Sequence, residues 1–290
     1  MALVPFDDRD GLIWFDGALV PWREAKLHVV THALHYGSAV FEGERAYSGK
    51  IFKMREHSER LHRSAELLEF KVPYTVDEIN AAKMAALKAN NLSDAYVRPI
   101  AWRGSEEMGV SALNSKIHVA IACWAWPSYY SPEARAKGVR LIRSKWARPA
   151  PNTAPTAAKA AGLYMICTIS KNEAERQGAS DALMLDWRGQ VAEATSSNLF
   201  MVKDGQLLTP LADCFLNGIT RQTILAIARE QGIPVVERVI WPEELKEADE
   251  VFLTGTAAEV TPVGQIGEWN FTPGVLTRTL AAAYEKLTKR

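Results

Sequence analysis

The sequence predicts a mixed α/β (α+β) protein of two subdomains with a cleft between them. Three observations predict it. At 290 residues the chain exceeds one typical domain and is short for three. Strand-type and helix-type hydrophobic patterns interleave along it. One polar stretch, "PSYYSPEARAKG", breaks the pattern with two prolines and a glycine. The boundaries that follow are a small N-terminal α/β domain at 1–126, a linker at 127–138 and a large C-terminal domain at 139–290.

The first domain opens with a hairpin, "LIWFDGALV", in which Asp16-Gly17 is a two-residue turn signal between apolar runs. A second hairpin joins "VFEGERAY" to "KIFKM" through Ser48-Gly49. Two helices follow: "EHSERLHRSAELLEF", with Leu61, Ala65 and Leu68 at helical spacing, and "VDEINAAKMAALKANN", ended by an Asn pair. "AYVRPIAW" and "KIHVAIACW" read as strands. Beyond the linker come the strands "DALMLDW" and "SNLFMVKDGQLLT", the latter with a turn at Asp204-Gly205. A helix from Thr220 to Gln231 follows, then the strands "PVVERVI" and "EVFLT" and a last helix through "VLTRTLAAAYEKL". A cleft between two such subdomains is a common place for a ligand.

Composition narrows the function. Lys+Arg and Asp+Glu balance at 34 each, so no basic excess points to nucleic acid and no charge run to a membrane patch. The start "MALVPFDDRD" lacks a signal peptide's pattern, and no apolar stretch is long enough for a bilayer. Cys123, Cys167 and Cys214 are odd in number and scattered, which fits a reduced cytoplasm. His28, His32 and His35 have helical spacing but neither H-E-x-x-H order nor a nearby cysteine, so no metal site is expected.

Lys159 draws attention because it stands alone in "PNTAPTAAKAAGLY", with Arg148 and Lys171 the nearest charges. In an apolar setting its pKa falls, and a neutral amine forms a Schiff base with a carbonyl. The plainer alternative is a stem packed on small residues with its head in water. Glu193 in "QVAEATSSNLF" shares a strand face with Val191 if side chains alternate, which puts a carboxylate on an inward face. By itself it reads first as an edge-strand charge pointing at solvent. Beside a Schiff-base lysine, a carboxylate has another use: it keeps a pyridine nitrogen protonated. "NGITRQT" suggests a phosphate site, with Gly218 allowing close backbone approach and Thr220 opening a helix; a capped helix start is the alternative. Arg60, beside the Leu61 stripe, reaches either a buried phosphate or Glu56 four residues earlier.

Taken in order, "HALHYGSAVFEG", "EHSERLHRSA", "AYVRP", "MGV", "APNTAPTAAKAAGLY", "EATSSNLF", "LNGITR" and "DEVFLTGTAAEVTPV" resemble the fold-type IV pyridoxal-phosphate enzymes. Within them the chain is similar to the branched-chain amino acid aminotransferase family. The match runs over almost the whole chain from "WFDG" onward. Two departures stand out: Asn217 where a proline is common, and "ATSSN" in place of a glycine-rich run. The "WRGSEEMGVSALNSK" loop also carries two glutamates able to alter access to the site.

The resemblance implies pyridoxal 5′-phosphate bound in the cleft to Lys159, with Glu193 at the ring nitrogen and Tyr164 at the phenolic oxygen. It implies a phosphate held by Arg60, by Gly218, Ile219 and Thr220 at the helix start and by Thr256, with Leu216 against the ring. Tyr36, Phe41, Tyr129 and Tyr164 would wall an aliphatic substrate side chain, and Tyr96 and Arg98 would meet the γ-carboxylate of glutamate. Ala257 and Ala258 would offer backbone N–H groups to the α-carboxylate. The implied activity is two-stage transamination of L-leucine, L-isoleucine and L-valine with 2-oxoglutarate. Relatives of the same fold act as D-amino acid or (R)-amine aminotransferases or aminodeoxychorismate lyases and form the alternative. The resemblance further implies a homodimer or a trimer of dimers with small-molecule partners only.

Overall fold

The computed structural model describes residues 4–126 and 136–289. The chain divides into two compact units, Met1–Pro127 with Ala158–Gly162, and Ser128–Ala157 with Leu163–Arg290. The expected boundaries put everything from residue 139 onward into one domain. The short Lys159 segment instead packs with the first unit, because it runs along a strand there and not because of its place in the sequence.

The first unit holds β1 (Leu12–Phe15), β2 (Ala18–Pro21), α1 (His32–Tyr36), β3 (Ala39–Phe41), β4 (Glu44–Tyr47), β5 (Lys50–Ile51), α2 (Met54–Leu67), α3 (Val76–Ala89), β6 (Ala95–Arg103) and β7 (Ile117–Ala125). Its sheet runs β2-β1-β7-β6-β4-β5, with β3 also on β6. Both expected hairpins form. Asp16 and Gly17 have φ of 46° and 98°, Ser48 and Gly49 48° and 82°, the left-handed pair that matches strand twist in a two-residue turn.

"VFEGERAY" is not one strand. β3 pairs with Ile100–Trp102 and β4 with Ala95–Val97, leaving Glu42 and Gly43 opposite Arg98 and Pro99. Pro99 has no N–H to give, so its carbonyl alone joins the ladder, accepting from Glu42 N at 2.8 Å. At Gly43 a side chain would collide with the Tyr96 hydroxyl, 2.0 Å from an added Cβ. The register is the same on both sides, so Glu42 keeps the face set by alternation, the one it shares with Glu44. Helix α3 starts with a reciprocal Thr75–Glu78 capping box, a device worth about 1 kcal/mol. It ends at Asn90, whose side chain both accepts from Leu12 N and donates to Leu12 O at 2.8 Å, stitching the helix to β1.

The second unit holds β8 (Val139–Arg143), α4 (Tyr164–Arg176), β9 (Asp181–Leu185), β10 (Val191–Ala194), β11 (Asn198–Lys203), β12 (Gln206–Pro210), α5 (Ile219–Glu230), β13 (Val235–Arg238), β14 (Glu250–Gly255), β15 (Glu259–Ile266), β16 (Trp269–Asn270) and α6 (Val275–Thr288). The strand order is β10-β9-β8-β15-β14-β11-β12-β13, and β10 also pairs with β11, which closes the first six into a ring. Leu141, Leu183, Val191, Leu199, Leu253 and Val263 lie in its main apolar core. The Asp204-Gly205 hairpin forms as expected, with φ of 50° and 72°.

One expectation fails here. The register between β10 and β9 shifts between Val191, opposite Leu185, and Glu193, opposite Met184. Successive partners lie on opposite faces, so Val191 and Glu193 do too: a bulge breaks the alternation that would have put them together. Val191 enters the core, and Glu193 is turned away from it.

Candidate active site

In the first unit the site grows from the edge of β3. Phe41 N donates to Lys159 O at 3.1 Å, and Val40 bridges to Ala160. The Lys159 N–H donates to Ser64 Oγ of α2 at 3.0 Å. These contacts fix the lysine backbone on both sides. Gly37, with φ of 66°, lets this segment come close: a Cβ there would lie 3.1 Å from Gly162 Cα. The Lys159 amine lies 4.9 Å from the Phe41 ring centroid. Burial, and after it the Arg60 guanidinium, push its pKa down to about 8, against the opposing pull of Glu42.

Arg60 does not pair with Glu56, which bonds Lys53 at 2.8 Å. It donates Nε and Nη2 to Glu42 at 2.7 Å each. His57 Nδ1 lies 2.7 Å from the same carboxylate. All three groups are buried. Burial alone would raise the Glu42 pKa, but Arg60 and His57 hold it far below the usual carboxylate range. Burial also drives His57 down to about 4, so this imidazole is neutral at physiological pH.

Tyr96 and Arg98 come together with Phe41: Arg98 Nη2 donates to the Tyr96 hydroxyl at 3.0 Å, and its Cζ lies 4.8 Å from the Phe41 ring centroid. Tyr36 sits at the end of α1 against His32, ring centroids 4.6 Å apart, and is 46% exposed. His32 itself is used structurally, bonded to Ser38 Oγ and Gly109 O. The two loop glutamates fold their own loop, Glu107 accepting from Asn114 and Glu106 from Lys116 N. Tyr129 lies outside the described residues.

In the second unit Glu193 is 8% exposed, with Arg148 Nε 3.4 Å from Oε1 and Asn198 Nδ2 3.4 Å from Oε2. Burial disfavours the Arg148 charge, yet Glu193 and then Cys167 and Tyr164 hold its pKa above the ordinary value. Tyr164 opens α4. Helix α5 opens at Ile219, one residue before the expected Thr220, and Gly218 ahead of it supplies no side-chain cap. Among the described residues no side chain caps this helix start, and its first-turn N–H groups, with the helix dipole, suit an anion. Asn217, the departure noted above, ties this loop to the helix by accepting from the buried Arg221 at 3.0 Å. Thr256 and Ala257 form the turn between β14 and β15, and Ala258 is 2% exposed in the core.

The sequence did not single out Glu42, His57, Ser64, Arg148 or Asn198 for these positions. Each acts through a partner far along the chain, and no local pattern announces such a contact. The first unit offers an amine of lowered pKa and a held guanidinium, the second an uncapped helix start and a buried carboxylate. Taken singly, an amine of lowered pKa suits a carbonyl, a guanidinium or an uncapped helix start suits a phosphate, and a buried carboxylate suits a protonated nitrogen.

Residues 39–266 match the family model described as amino-transferase class IV. A branched-chain-amino-acid aminotransferase of Pseudomonas aeruginosa is 47% identical over 263 residues, 89% of this chain and 86% of the relative. The crystal structure of the Escherichia coli branched-chain amino acid aminotransferase superposes with a TM-score of 0.93 at 42% identity, over 97% of this chain and 95% of that one. The T.th. branched-chain amino acid aminotransferase complexed with N-(5'-phosphopyridoxyl)-L-glutamate gives 0.92 at 40%, over 97% and 95%. The expected mixed α/β fold of type IV is thus met.

Proposed function

We propose, from the premise that this chain belongs to the class IV aminotransferases and among them to the branched-chain-amino-acid aminotransferases, that it exchanges the amino group of L-leucine, L-isoleucine or L-valine with 2-oxoglutarate. The products are the branched-chain 2-oxo acids and L-glutamate, and the cofactor is pyridoxal 5′-phosphate. The observation that carries the reading is the Lys159 amine, held by burial and Arg60 at about 8 rather than near its ordinary 10.5.

When bound, the cofactor supplies a carbonyl for the substrate amine and a ring that takes up the electron pair left at Cα. Lys159 would hold it through its amine and would be the group placed to take and return the substrate's Cα proton. Both tasks need a neutral amine, and the lowered pKa brings that form within reach, half of it neutral at about pH 8. Glu193 would accept from the protonated ring nitrogen, and Tyr164 would donate to the phenolic oxygen. Arg60, Gly218, Ile219, Thr220 and Thr256 would hold the phosphate, and Leu216 would lie against the ring. Tyr36, Phe41 and Tyr129 give the aliphatic wall, Tyr96 and Arg98 the polar edge for glutamate, and Ala257 and Ala258 the α-carboxylate contact. A tyrosine serves both kinds of substrate, with an apolar ring and a polar hydroxyl.

The protein is further proposed to work in the cytoplasm as a homodimer or a trimer of dimers. Its three free cysteines support a reducing compartment. The exposed Val29, Leu34, Val110 and Leu113 give the first unit apolar surface for a second copy. No helix among the described residues is long and apolar enough to cross a membrane. A substrate panel of L-leucine, D-alanine, (R)-1-phenylethylamine and aminodeoxychorismate, with 2-oxoglutarate where an acceptor is needed, tests the activity. Turnover of L-leucine supports it; turnover confined to the other three overturns it.

A further inference from the structure

The ring of strands in the second unit closes at one residue pair, Glu193 on β10 opposite Asn198 on β11. The Asn198 side chain is buried and spans two features that the sequence places about twenty residues apart. Its Nδ2 donates to Leu216 O at 3.0 Å and lies 3.4 Å from Glu193 Oε2. Its Oδ1 accepts from Gly218 N at 3.2 Å. One amide therefore uses its donor end on the carboxylate and the loop, and its acceptor end on the residue that precedes α5. Arg148 holds the other carboxylate oxygen.

Gly218 gives an independent sign that the loop is built around this contact. Its φ of −61° and ψ of 141° are open to any residue, so backbone conformation does not call for glycine. Space does: a Cβ there would lie 2.2 Å from Asn198 Oδ1. Glycine is what lets the asparagine reach the N–H.

We propose that Asn198 is a positioning residue that locks the Glu193 carboxylate to the Leu216–Gly218 loop, so that the ring-nitrogen and phosphate contacts form as one. The inference rests on the cofactor assignment above and names the residue that couples its two ends. Removing the amide takes away the contact at Glu193 Oε2 and leaves the Gly218 N–H without this acceptor. Crowding the amide from the loop end displaces it from the carboxylate as well. A change at Gly218 is thereby felt by a ligand that has no phosphate.

The test titrates apoprotein with pyridoxal 5′-phosphate and with pyridoxal, followed by the visible band each gives on Lys159, for wild type, N198A, G218A and the double variant. N198A weakens pyridoxal 5′-phosphate by about tenfold or more, the loss of a charged-group hydrogen bond and its neighbours, and shrinks the advantage that the phosphate confers. G218A weakens pyridoxal too. In the N198A background G218A adds about twofold at most, because the clash has gone. Penalties that simply add, or a G218A protein that binds pyridoxal like wild type, overturn the inference. If N198A does not fold, the G218A arm with pyridoxal decides alone. A wild type that gives no band with pyridoxal 5′-phosphate removes the cofactor assignment itself and the inference with it. A wild type that gives the band, with G218A unaffected toward pyridoxal, removes the inference alone.

Discussion

Arg60 grips Glu42 at two points, Nε to Oε1 and Nη2 to Oε2, both at 2.7 Å and both out of water. The fork fixes the plane of the guanidinium, as a two-point carboxylate contact does. Glu42 reaches it from the strand face it shares with Glu44, because the register on β6 is the same on both sides of Glu42-Gly43. Replacing Glu42 with alanine leaves Arg60 and His57 buried without their acceptor and should cost about 3–5 kcal/mol in denaturant unfolding. Glutamine at this place keeps the shape and should cost less, while still loosening Arg60 and weakening capture of pyridoxal 5′-phosphate.

The Lys159 pKa of about 8 sets a pH dependence for cofactor capture by apoprotein. Only the neutral amine reacts, so the rate should rise with pH and level off above about 8. Arg60 lowers this pKa and Glu42 raises it. Arg60→Met should therefore move the midpoint up, and Glu42→Gln should move it down. Growth of the visible band against pH reads both shifts; midpoints that do not move would contradict the electrostatic assignment. The same lowered value has a stability consequence. Between about 8 and the ordinary 10.5 the unfolded chain binds the extra proton, so this lysine's contribution to stability improves as pH rises through that window.

Lys83 and Glu44 form a second ion pair, Nζ to Oε1 at 2.6 Å, with both side chains wholly buried and Ser58 Oγ also 2.6 Å from the amine. Burial pushes Glu44 up to about 8 even with Lys83 beside it. Desolvation thus outweighs the attraction here. The double variant Lys83→Met with Glu44→Leu should be neutral or more stable by about 1–4 kcal/mol, whereas Lys83→Met alone should be clearly less stable. Thermal unfolding of the two separates these outcomes.

For Glu193, replacement by alanine should cripple turnover while the cofactor stays attached, since Lys159 and the phosphate contacts remain. Turnover near that of wild type would contradict the ring-nitrogen role. Steady-state rates together with the visible band distinguish loss of chemistry from loss of cofactor.

Much of the fold was legible because its signals are local. The turns at Asp16-Gly17, Ser48-Gly49 and Asp204-Gly205 announce left-handed backbone, and the Leu61 stripe announces α2. Lys159 stood out by its apolar surroundings, which by themselves left a nucleophile and a snorkelling lysine both open. Glu42 was not, because its partner Arg60 lies 18 residues away on another element. Asn198 was hidden in the same way, 18 residues from Leu216. Glu193 was found for a reason that did not hold. Alternation assumes an unbroken strand, and the bulge after Val191 re-aims the carboxylate. The membership of Ala158–Gly162 in the first unit rests on pairing with β3, which no nearby residue signals.

The role proposed for Lys159 is to be the amine that takes the cofactor. Borohydride reduction of protein loaded with pyridoxal 5′-phosphate, followed by mass spectrometry of its peptides, tests it most directly. That role predicts loss of the visible band and a single phosphopyridoxyl group on the peptide that contains Lys159. A label on another lysine, or no label on protein that has been supplied with cofactor, would contradict it.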